Sequence, residues 1–237
     1  MAIDDLPMPV VNLLNVIGVP WPYVNEDTVL RFAQLTREFG QAVRTTHQDA
    51  TQAVAGIAEW HQSASTEIMK SGWATMSSQH VDELVTGCGV LADALEVAAG
   101  YIVAQKAEAL ATLIGMAAAF VADQAAAVAT AGIAEAAVPA IVEGAEAIVK
   151  SLVQDLQQYV IGQVIEAAAK PLFAKIEEAM AGLDWSKSGS GGGNGPGTAL
   201  SVDAESVRHH TAALRQHAQT MRQHAANFQQ ALQGLSY

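Results

Sequence analysis

The chain has 237 residues, of which 51% are apolar but only 5% aromatic, so a core of Ala, Val, Leu and Ile is expected in one domain or slightly more. The net charge is −12, and the first 199 residues carry nine basic against 22 acidic side chains; this field disfavours nucleic acid, whose binding displaces counterions from phosphate, and an anionic membrane surface. One cysteine, Cys88, excludes an intrachain disulfide and a thiolate zinc cluster, and the acidic start from Met1 to Asp5 differs from the basic opening of a secretory signal, so any export is expected by a signal-peptide-independent route.

A short apolar segment, Val10 to Ile17, leads into a turn around Pro20, Trp21 and Pro22. Asn25 is suited to cap a helix, and Glu26 and Asp27 put negative charge at its positive end. Val29, Phe32, Leu35, Phe39, Val43, Ala50, Val54, Ile57, Trp60, Ala64 and Ile68 mark one apolar stripe at mostly three- and four-residue steps. The pattern predicts one helix from Glu26 to Met69, about 65 Å long. Lys70, Ser71 and Gly72 read as a break, which puts Gly72 and Trp73 at a hairpin turn.

A second helix is expected from Trp73 to Thr130, bending or splitting at Gly87, Gly89 or Gly100. Ala fills 21 of the 50 positions from Leu91 to Ala140, which favours long helices in close contact. The longest uncharged run there, Ala109 to Ala122, has 14 residues, short of the roughly 20 that a membrane span needs. Gly132 and Pro139 mark a further break. Helical pattern resumes through Ile148, Leu152, Leu156, Tyr159 and Val164, and Pro171 opens a short helix that Gly182 ends. Ser186 to Thr198, with six Gly in 13 residues, reads as a flexible linker.

The last segment repeats in sevens: VRHHTAA, LRQHAQT, MRQHAAN, FQQALQG. Val207, Leu214, Met221 and Phe228 share one position, and Thr211, Ala218, Ala225 and Leu232 lie four residues on. Such a repeat belongs to a helix packing lengthwise on another. Alone, about 30 helical residues are barely stable in water. Val207, Leu214, Met221, Phe228 and Leu232 are therefore the expected interaction edge, on the protein's own body or another chain. The fold class is all-α: an elongated bundle of long antiparallel helices over 1–185, a Gly/Ser-rich linker over 186–198, and an amphipathic helix over 199–237.

No catalytic constellation emerges. His210, His217 and His224 stand seven residues apart, about 10 Å along a helix, too far to share one ion, and read as a polar flank with weak pH sensitivity. Cys88 lies near Asp82, Glu83 and Asp93, which hold a thiol protonated; it reads as a small side chain at a close helix crossing. There is no Gly-x-Ser-x-Gly elbow, no His-Glu-x-x-His and no phosphate-cradling Gly-Lys-Ser/Thr loop. Trp21, Trp60, Trp73 and Trp185 are expected to plug corners between helices. No catalytic, cofactor or metal residue is expected, and no enzyme.

Five stretches together carry a resemblance: VPWPYVNEDTVLRFAQL; LADALEVAAGYIVAQKAEAL; GIAEAAVPAIV; IGQVIEAAAKPLFAKIEEAMAGLDW; and VDAESVRHHTAALRQHAQTM. In order and punctuation the chain resembles the WXG-like N-terminal region of actinobacterial polymorphic toxins exported by type VII secretion. Trp60 is followed by His61-Gln62 and Trp73 by Ala74-Thr75, so Gly72-Trp73 is the nearest counterpart of the family's Trp-x-Gly turn. The Tyr-x-x-x-Asp/Glu export motif occurs only as Tyr23…Asp27, away from a C-terminal helix, which leaves the signal to a partner chain. The resemblance implies a non-enzymatic delivery and interaction module whose partners are helical proteins of the small WXG type, secreted or in the cell envelope and cytoplasmic before export. It leaves the oligomeric state open, a dimer included. With Tyr237 as the last residue, no toxic enzyme is expected after the last helix. The alternative is a cell-envelope or pore-forming helical protein, set against the charges Asp93, Glu96, Lys106, Glu108 and Asp123 in the Ala-rich middle.

Overall fold

A computed structural model describes residues 6–60, 64–77, 81–129, 138–172, 174 and 204–235. It is all-helical: α1 (Met8–Ile17), α2 (Glu26–Trp60), α3 (Ala64–Met76), α4 (Asp82–Ala129), α5 (Val138–Tyr159) continued by a π-helical stretch (Val160–Ala169), and α6 (Ala204–Gln233). The linker Ser186–Thr198, Trp185 and most of the helix expected after Pro171 lie outside the described residues. The described residues of 6–31 and 94–166 form one compact unit and those of 32–93 and 167–235 a second, so that α2 and α4 contribute to both.

In the first unit, α1 ends on Gly18, whose positive φ of 70° lets its N–H reach the Leu14 carbonyl at 2.9 Å. Asn25 caps α2 as its sequence suggests: its Oδ1 accepts from the N–H groups of Asp27 at 3.0 Å and Thr28 at 3.2 Å. The core joins Val10, Leu13 and Trp21 to Ile102 and Leu113 of α4 and Val149, Leu152 and Leu156 of α5. Tyr101 stacks on Tyr159 with ring centres 4.0 Å apart, and a Cβ on Gly144 would meet Met116, so α4 and α5 run antiparallel. Lys106 is fully buried here; its Nζ donates to the Val24 carbonyl at 2.7 Å and pairs with Glu26 at 3.1 Å.

The second unit packs α2 from Phe32 onward with α3, the start of α4 and α6. Arg37 bridges to Asp93 at 2.6 Å on its surface. A Cβ on Gly40 would sit 3.0 Å from that of Cys88, so α2 and α4 cross at close range there. Cys88 is the small buried residue at that crossing, as its setting between two glycines suggests.

The stretch expected as one helix from Glu26 to Met69 is helical over Glu26–Trp60 and again from Ala64, and residues 61–63 lie outside the described residues. One expectation is corrected. There is no hairpin turn at Gly72 and Trp73, since both lie inside α3. Trp73 is 9% exposed against Ala50 and Val54, and its Nε1 donates to Thr51 Oγ1 at 3.0 Å. Burying such a side chain outweighs the roughly 1 kcal/mol that a helical Gly costs. In addition, α4 runs unbroken through Gly87, Gly89 and Gly100.

Candidate interaction surface

The C-terminal heptads form a seam on the second unit. Leu214 packs on Ala50, Val54 and Trp73; Met221 packs on Val43, Val81 and Val85; Phe228 stacks on Phe39 with ring centres 4.8 Å apart and planes 13° apart. Rising numbers on α2 meet falling numbers on α6, so the two helices are antiparallel. Leu232 is half-buried, and Val207 is helical with its side chain outside the described residues.

The second line of the seam differs from the one the repeat suggests. Ala218 and Ala225, four residues after Leu214 and Met221, are exposed. His217 and His224, three residues after them, face the unit instead. His224 Nε2 shares a 2.9 Å hydrogen bond with Thr46 Oγ1. His217 meets the rings of Trp73 and His47 edge-on, at 5.7 Å and 6.0 Å. Spacing alone ranks Ala above His for a seam, but a neutral imidazole is flat and can pack on an indole. His47 lies on the buried face of α2 although hydropathy gives a polar ring no place in an apolar stripe; its position between buried Val43 at i−4 and Ala50 at i+3 is the available signal.

Burial holds the pKa of His47 below the ordinary 6.5, opposed by Asp82. Burial also lowers that of His217, reinforced by His47 and opposed by Asp49. The Cys88 thiol is pushed up to about 11 by burial, so it stays protonated at neutral pH and makes a poor nucleophile. Among the described residues, no three His, Cys, Asp or Glu side chains converge as metal ligands. An open groove of about 690 Å³ follows the polar shoulder of the seam, lined by Arg37, Gln41, Thr45, Thr46, Thr220 and His224.

A second apolar surface lies on α4. Val103, Ala107, Ala111, Ile114, Ala118 and Val121 are all exposed and, at about 100° per residue, fall within one side of the helix. Val103, Ile114 and Val121 are 38%, 45% and 57% exposed. The part of α4 from Asp82 to Ala126 contains an 18-residue window with a mean hydropathy of 1.5 and is long and apolar enough to cross a membrane by length and composition. Core helices of soluble proteins pass the same test, but only 17% of this apolar window is buried.

A family model described as a WXG100 like domain matches residues 4–145, more than half of the chain. No curated protein and no solved structure matches it.

Proposed function

Because the chain belongs to the WXG100-like family, we propose that it is a non-enzymatic export and protein-interaction module of a type VII secretion system, the delivery region of a toxin-type protein, partnered by small helical WXG-type proteins. The observation that carries this reading beyond family membership is the exposed side of α4. Val103, Ile114 and Val121 stand with Ala107, Ala111 and Ala118 on one side of α4 that carries no charged residue between Val103 and Val121, a surface that a second amphipathic helix can approach closely. The apolar edge of α6 at Leu214, Met221 and Phe228 is a further surface for such a partner when it is not held by the chain itself.

The test is export of the tagged chain from a host with and without a working type VII system, co-expressed with a small WXG-type protein. Export that needs the system, together with co-elution that Ile114→Asp and Val121→Asp abolish, supports the proposal. Equal amounts outside both hosts would overturn it.

The second reading, a cell-envelope or pore-forming protein, is favoured by the length and hydropathy of α4. Against it, α4 carries Glu96, Lys106 and Glu108, and charges at mid-bilayer are costly. Partition into protein-free vesicles, with leakage of a trapped dye, would favour this reading over the first.

A further inference from the structure

His47 lies inside the second unit, 5% exposed, with its ring flat on the Trp73 indole at 5.0 Å and 9°. His217 comes to both rings from α6. The three rings thus join α2, α3 and α6 at one point. Nε2 of His47 shares a 2.7 Å hydrogen bond with Ser77 Oγ. Nδ1 of His47 and Nε2 of His217 are buried with no hydrogen-bond partner among the described residues. A neutral imidazole buries one bare acceptor nitrogen, which costs far less than burying a charge. An imidazolium must bury a charge and two N–H donors, and two imidazoliums at this separation also repel each other.

We propose that the His47–Trp73–His217 cluster is a proton-operated latch that holds α6 on the second unit while both imidazoles are neutral and releases it when they are protonated. Release bares Leu214, Met221 and Phe228 together with Phe39, Val43 and Val54 beneath them. The charged groups that bear on the pair are Asp82, at the start of α4, on His47, and Asp49, on α2, on His217; α3 faces the pair with Trp73, and Ser77 just after it bonds His47. Burial outweighs both carboxylates, so each histidine titrates below the ordinary 6.5 when docked, and release relieves part of that burial and moves it back toward the ordinary value. The released form therefore binds more protons below pH 6.5. Docking is fully present above that value and weakens as the pH falls toward the lower docked values, by up to about tenfold per pH unit for each histidine. The latch belongs to the chain's own packing and does not depend on export.

The experiment is amide hydrogen exchange on the full chain at about pH 7.5 and about pH 5.5, corrected for the intrinsic pH dependence of exchange, with α5 around Val149 and Leu156 as internal reference. Acidification is expected to lower the protection of α6 between Leu214 and Phe228 by about tenfold or more relative to α5. His217→Phe and His217→Leu, apolar replacements of different shape, are expected to flatten this response, and His224→Gln to leave it in place. Protection that ignores pH overturns the latch, as does an equal loss in α5. Full retention of the acid response in whichever His217 variant keeps α6 protected at the higher pH overturns it too.

Discussion

Lys106→Met is expected to be among the most damaging single substitutions in the first unit. Lys106 and Glu26 pair at 3.1 Å with side chains 0% and 2% exposed, and the same ammonium donates to the Val24 carbonyl at 2.7 Å. Met keeps most of the apolar stem and removes the charge. Glu26 then loses its cation inside the core, and the Val24 carbonyl loses a charged donor. Breaking a buried pair from one side costs about 3–5 kcal/mol, a large share of the roughly 5–15 kcal/mol that stabilises a domain. For a chain of this size the thermal midpoint should fall by about 10 °C. Removing both charges, with Glu26→Gln added to Lys106→Met, is expected to recover most of the loss, because no uncompensated charge stays buried. Urea melts followed by helicity on the parent, both single variants and the double variant give the coupling directly. A Lys106→Met variant within about 1 kcal/mol of the parent, with no coupling to Glu26, would refute the reasoning.

Changing Leu214 and Phe228 together to Ser removes two half-buried anchors of α6, worth about 2–3 kcal/mol combined; cleavage between Ser186 and Tyr237 in limited proteolysis should speed up by about 30- to 150-fold, the factor that this loss implies, and an unchanged rate would count against the seam. Gly40→Val overpacks the crossing at Cys88 and should cost about 1–3 kcal/mol in a denaturant melt, partly relieved by Cys88→Gly. Asn25→Ala should cost about 1 kcal/mol by the same measurement, since two N–H groups lose their shared acceptor.

Much of the fold could be read from the sequence because it rests on local chemistry. Asn25 ahead of two acids gave the start of α2 to the residue, and the apolar steps of Leu35, Val43, Ala50 and Val54 marked its buried face. That buried face also runs through Thr36, Gly40 and His47, which hydropathy passes over. Thr36 can be buried because its hydroxyl bonds the Phe32 carbonyl of its own helix at 2.9 Å, and His47 because it finds Ser77 and the Trp73 ring. The misplaced turn at Gly72 has the same origin: a local signal for a break lost to the burial of Trp73, which only the tertiary partner supplies. Likewise the heptad showed that α6 needs a partner helix, but whether Ala218 or His217 faces it depended on a ring contributed by α3. The exposed side of α4 was hidden by its composition, since alanine looks the same in a core and on a surface.

The crossing of α2 and α4 has a consequence for covalent chemistry. The chain's only sulfhydryl is closed inside that crossing and kept in its protonated form. Passage from a reducing to an oxidising compartment would thus find no accessible thiolate to join two copies through sulfur, cap with glutathione or climb the oxidation ladder. The folded protein should present one mass on either side of that boundary, and any covalent adduct at Cys88 would report that α2 and α4 had first come apart.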